Sequence, residues 1–67
     1  MKVDYTLDTG FDQVHVGKDS DGMTVAISML TGLRSSDVNP LVAITKVIGV
    51  LTPADRRVLL REVADRA

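Results

Sequence analysis

The residues that could do chemistry in this 67-residue chain are few and scattered. His15 is the only imidazole, and a catalytic histidine needs a nucleophile or carboxylate held beside it. Asp12 and Asp19 lie close in sequence, but spacing alone sets no such geometry, so His15 reads as a solvated residue on a polar strand. Asp19-Ser20-Asp21-Gly22 has the opening of a calcium loop. The full pattern demands further acidic ligands and a glutamate at the twelfth position, where this chain has Leu30. A plain polar loop is the better reading. The five glycines form neither a GxxxxGK nor a GxGxxG cradle. Ser35-Ser36-Asp37 could accept a phosphate, yet short hydroxyl side chains at such places more commonly cap or turn the backbone.

Arg56, Arg57, Arg61 and Arg66 form the one basic series. They could touch phosphates or an acidic protein partner, but Asp55, Glu62 and Asp65 are interleaved with them. Tyr5 and Phe11 are the only aromatic platforms. A solvated, salt-bridged helix face is therefore expected, with nucleic-acid binding as the alternative. If the last three elements form a helix-turn-helix, residues 53–66 must be the recognition helix, because residues 40–51 are too apolar to face a groove.

The elements that position these residues follow from periodicity. Residues 2–8 alternate strictly, with Val3, Tyr5 and Leu7 on one side, as a half-buried strand does. Thr9-Gly10 supplies a turn, and residues 11–17 read as a second, more polar strand, giving an N-terminal hairpin. Lys18 to Gly22 is loop by composition. Met23, Ala26, Ile27, Leu30 and Leu33 then recur at helical spacing, capped by Ser20 or Asp21, and a helix over 23–33 is the expectation. The competing pattern is a third meander strand, since Val25, Ile27 and Met29 also alternate.

Residues 34–39 read as a connection, and Asn39-Pro40 opens a helix over 40–51: asparagine caps an orphan N–H and proline suits the first turn. Ile44, Ile48, Leu41, Leu51, Val47, Val50 and Ala43 cover about half its circumference at ~100° per residue, which makes this helix the hub. Thr52-Pro53-Ala54-Asp55 starts the last helix, with Thr52 as N-cap, Pro53 first and Asp55 favoured by the dipole. Its apolar stripe is Leu59, Leu60, Val63, Ala64 and Ala67. Glu62–Arg66 and Arg61–Asp65 are candidate ion pairs at i,i+4. Arg56 interrupts the stripe and Val58 falls on the charged side. Either Arg56 snorkels and Val58 is an ordinary exposed valine, or both mark a partner contact.

Composition bounds the whole. A chain this short supports one domain, residues 1–67, with a marginal core. It has no cysteine and one histidine, so neither disulfides nor structural zinc can staple it, and oligomerisation is the remaining device. Residues 1–40 carry net charge −3 and residues 41–67 carry +2, an asymmetry that favours association between opposite ends. No secretory h-region opens the chain, and the longest apolar run is too short for a bilayer. A cytoplasmic location, no membrane association and no cofactor are expected.

Leu51-Thr52-Pro53-Ala54-Asp55-Arg56-Arg57-Val58-Leu59-Leu60, with the Ala64-Asp65-Arg66 ending, resembles a capped helix found in small bacterial and phage proteins of unassigned function. The resemblance covers about a quarter of the sequence and implies a phage or mobile-element origin more than an activity. From Ala26 to Leu41, Leu30-Thr31-Gly32 and Asn39-Pro40-Leu41 are similar to a haloarchaeal output domain, from which the downstream spacing and the modest acidic charge depart.

The resulting expectation is an α+β fold, an N-terminal β-hairpin followed by two or three short helices, assembled as a homodimer or larger oligomer. Val47, Val50, Leu51, Val58 and Leu59 are the expected interface. The expected role is a non-enzymatic protein-interaction or assembly module with a host or viral protein as possible partner; a small nucleic-acid-binding regulator is the alternative.

Overall fold

A computed structural model describes residues 2–10, 12–49 and 52–66, with the side chain of Arg66 left out. Four strands, β1 (Lys2–Asp8), β2 (Gln13–Lys18), β3 (Thr24–Ser28) and β4 (Arg34–Asp37), are followed by α1 (Pro40–Val47) and α2 (Pro53–Arg66). The strands form one antiparallel meander in the order β1-β2-β3-β4. The α+β class is as the sequence implies.

Two elements differ from expectation. Residues 24–28 are a strand, not part of a helix over 23–33, and residues 34–37 are an edge strand rather than a connection. Both of the patterns in residues 23–33 bury some apolar side chains, so periodicity alone could not choose. The deciding factor is tertiary: as a strand this segment pairs with β2 and widens the hairpin into a sheet that the helices can cover. As a strand it pairs Val16 with Ala26 and Val14 with Ser28, while β4 adds Ser35 beside Ala26. Gly32, at φ 76°, turns the chain between β3 and β4. A three-helix arrangement of the helix-turn-helix kind does not form.

α1 also stops sooner than the expected residue 51, with Ile48 as its C-cap. Gly49 is a poor helix residue, and Pro53 biases Thr52 away from helical geometry. Its start is as predicted: Asn39 Oδ1 accepts from the Leu41 amide at 2.9 Å, with Pro40 in the first turn. α2 spans the expected residues. The Asp55 amide donates to Thr52 Oγ1 at 3.2 Å, and that hydroxyl donates to Asp55 Oδ2 at 2.9 Å, a capping arrangement that satisfies an orphan donor.

The helices cover one face of the sheet. Leu7, Val14, Val16 and Ala26 point into the core from the strands, Ala43, Ile44, Val47 and Ile48 from α1 and its C-cap, and Leu59 and Val63 from α2. The Ser35 hydroxyl donates to the Ala43 carbonyl and ties β4 to α1. The apolar circumference of α1 is thus spent largely within one chain. The accessible surface, 4263 Å², is close to the roughly 4,100 Å² that a folded monomer of this mass exposes. On the outer face, Thr6, His15 and Ile27 sit side by side, and Val25 is buried beside Gly17 and Ser36. Among the described residues no helix is long and apolar enough to cross a membrane.

Ile44 is fully buried at the centre of this layer. Ile44→Ala should cost about 3–4 kcal/mol, a large part of the roughly 3–10 kcal/mol available to a chain of this length. Chemical denaturation should show the midpoint collapsing while the urea slope of the residual transition is kept.

Candidate functional site

The buried charged residue among the described residues is Asp12, 8% exposed. Its carboxylate joins two loops at one end of the sheet. Oδ2 accepts from the Ser28 hydroxyl at 2.6 Å; Oδ1 accepts from the Leu30 amide at 2.8 Å and from the Gln13 amide at 2.7 Å. On the β1–β2 side, the Asp12 amide donates to Thr9 Oγ1 at 3.0 Å and the Thr9 amide donates back to the Asp12 carbonyl at 3.0 Å. On the β3–β4 side, the Thr31 amide donates to Ser28 Oγ at 3.3 Å, the Gly32 amide to the Ser28 carbonyl at 2.9 Å, and the Met29 amide to the Gln13 carbonyl at 2.8 Å. Burial by itself raises the Asp12 pKa, but the bonds from Ser28, Leu30 and Gln13 outweigh it and hold the carboxyl below the ordinary aspartate value.

The product of this network is a fixed turn with an apolar surface. Met29, Leu30 and Leu33 are 55%, 61% and 55% exposed, although the sequence pattern assigns Leu30 and Leu33 to the buried side of a helix. Asp8, Gly10, Asp12 and Gln13 border Met29 and Leu30 across a shallow, acidic depression. Gly10, at φ 95°, donates its amide to Asp8 Oδ1 at 2.8 Å.

The second feature is the outer side of α2. Ala54, Arg57, Val58 and Arg61, at positions i, i+3, i+4 and i+7, line one shallow cleft and share one helix face. Val58 is 70% exposed. Arg57 and Arg61 are exposed, and their side chains make no hydrogen bond or ion pair among the described residues. On the other flank of Val58, a second cleft is lined by Asp8, Thr9, Asp55, Leu59 and Glu62. α2 therefore presents a valine with basic side chains to one side and acidic ones to the other.

The remaining candidate residues are distributed as follows. Val47 and Leu59 are 3% and 5% exposed and belong to this chain's own core, so among the described residues of the expected interface only Val58 lies open. Val50 and Leu51 are outside the described residues, as are Phe11, Ala67 and the Arg66 side chain. Arg56 is half-buried, and its Nη2 donates to the Gly49 carbonyl at 3.3 Å. It fastens the start of α2 to the end of α1, so its place in the apolar arc has an intramolecular reason. Arg61 and Asp65 are not within ion-pair distance; Lys46 and Asp37 form a partly exposed pair at 3.6 Å, which contributes little.

The His15 side chain makes no hydrogen bond or ion pair among the described residues, and the residue's neighbours across the sheet are Thr6 and Ile27. Asp12 is turned to the loops instead. Asp19 Oδ1 accepts from the amides of Asp21 and Met23 at 2.9 and 3.0 Å, which spends that oxygen on the β2–β3 turn. Asp37 Oδ1 accepts from the Asn39 amide at 2.9 Å. Among the described residues no group of three or more His, Cys, Asp or Glu converges as a metal site.

Asp12→Ala leaves Ser28 Oγ and two amides without their acceptor and should cost about 3 kcal/mol. Asp12→Asn keeps one oxygen for the two amides and should cost about 1 kcal/mol at neutral pH. Because the folded pKa is depressed, the carboxylate's contribution is complete above the unfolded pKa, about 4. It is lost as pH falls through the lower folded value. Thermal melts of the wild type and Asp12→Asn should therefore converge below about pH 4 and separate above it. No protein-family model, no curated protein and no solved structure matches the chain, and the functional reading rests on this geometry.

Proposed function

We propose that this chain is a small non-enzymatic protein-interaction or assembly module of the cytoplasm, acting through self-association or a protein partner. The observation that carries the reading is the open face of α2. Val58 is 70% exposed, and the two arginines beside it have no partner among the described residues. A protein interface commonly places an apolar anchor among arginines that act across it. The resemblance of residues 51–66 to small phage and bacterial proteins extends the proposal to a phage or mobile-element origin.

A nucleic-acid-binding regulator is the second reading, favoured by the same exposed Arg57 and Arg61. Arg56 is engaged with Gly49, and Asp55 and Glu62 border the adjoining cleft, so only two arginines of the described face are available for phosphates. Two phosphate contacts give a weak complex that loses about tenfold in affinity between 50 and 200 mM salt.

Light scattering across a concentration series separates these readings. Self-association predicts a mass rising above the 7.2 kDa of one chain as concentration increases. A mass of 7.2 kDa at every concentration, with a labelled DNA duplex bound at 50 mM salt and released by 200 mM, favours the regulator instead.

A further inference from the structure

Resting on the interaction-module reading, we infer that the β3–β4 turn of one copy docks into the α2 cleft of a second copy, head to tail. Each surface is partly apolar, and the two are complementary in charge. The turn is open to solvent: Met29 and Leu30 are both more than half exposed, with Asp8 at their border. The cleft is a shallow recess with Ala54 and Val58 as its apolar part and Arg57 and Arg61 as its rim. Leu30 enters against Val58, and the arginines reach the Asp8 side of the entering turn.

The turn is also already ordered. Asp12 fixes the Leu30 amide and Ser28 directly, and Ser28 in turn fixes Thr31 and Gly32. An apolar turn fixed by a buried carboxylate loses little backbone entropy on docking, which is how preorganisation raises affinity. The cleft, likewise, is built on a capped helix rather than on a loop.

The arrangement of charge selects the symmetry. Turn and cleft are separated by the acidic cleft of Asp8, Asp55 and Glu62, which borders Val58. A two-fold axis through that region would bring the carboxylates of both copies together. Head-to-tail docking avoids this and sets Asp8 against arginine. Such a contact is heterologous: each copy offers one turn and one cleft, so the product is a ring or an open chain rather than a closed pair.

The test blocks each surface separately. Leu30→Lys places a cation on the turn and leaves the cleft intact; Val58→Lys fills the cleft and leaves the turn intact. Both positions are more than half exposed, so circular dichroism should show the wild-type fold in each. Light scattering should give assemblies for the wild type and a 7.2 kDa monomer for either variant alone. A mixture of the two should give a 1:1 heterodimer and nothing larger, since one turn and one cleft remain.

The chain has no cysteine, so a second measurement reads the same contact. Leu30→Cys mixed with Val58→Cys under mild oxidation should give the mixed dimer in preference to either homodimer. Variants that still assemble like the wild type would overturn the docking while leaving self-association through another surface. A mixture that stays monomeric, or a predominance of Val58→Cys homodimer, would also overturn it. A wild type that remains monomeric overturns both this inference and the self-association reading.

Discussion

A single buried carboxylate organises one end of this molecule. A small sheet has few apolar residues to spare for its loops, and loops held only by local turns fray. Asp12 ties the β1–β2 loop to the β3–β4 turn through two acceptor bonds, from Ser28 and Leu30, and accepts a third from the adjacent Gln13 amide. Desolvating a carboxylate is costly unless its lone pairs are satisfied, and here a hydroxyl and two amides satisfy them. Removing that centre does not merely delete one contact: it leaves buried donors behind on two separate loops. The register of β2 against β3 at this end, where Met29 bonds the Gln13 carbonyl, is held by the same network.

The other constraint is coverage. With four strands and no second sheet, one face must be closed by helices, and α1 does most of this through Ala43, Ile44, Val47 and Ile48. α2 completes the layer with Leu59 and Val63, and Arg56 holds its first turn against the Gly49 carbonyl. Once these are placed, what remains outside is specific: an apolar turn at one end, and on α2 a valine between basic and acidic flanks. Both are surfaces that the interior does not need.

How much of this was legible in the sequence follows from the range of the forces involved. The start of both helices, the β1 strand and the turn at Thr9-Gly10 are local in origin. Asn39-Pro40 and Thr52-Pro53 cap their own amides, and the alternation of Val3, Tyr5 and Leu7 marks a strand without reference to anything distant. Residues 23–33 were not legible, because their pattern fits helix and strand, and the strand is selected by pairing with β2; residues 34–37 read as a connection and become a strand only by pairing with β3. Asp12 showed no signal either. Its principal partners, Ser28 and Leu30, lie 16 and 18 residues away, so an aspartate in a loop looked like any other. Val58 could be singled out because it breaks a helical pattern; Leu30 and Leu33 could not, because an exposed turn residue and a buried helix residue are the same letter.

The order of this end of the sheet depends on Asp12 being ionised and on its holding the Leu30 amide. A pH titration of the side-chain carboxyl by NMR, with amide exchange followed in the same sample, reads both directly. The structure predicts that Asp12 titrates below the ordinary aspartate value and that the Leu30 amide is protected at neutral pH, losing protection as Asp12 takes up its proton. An Asp12 that titrates at or above the ordinary value, with a Leu30 amide exchanging as freely as a solvent-exposed loop, would contradict the account.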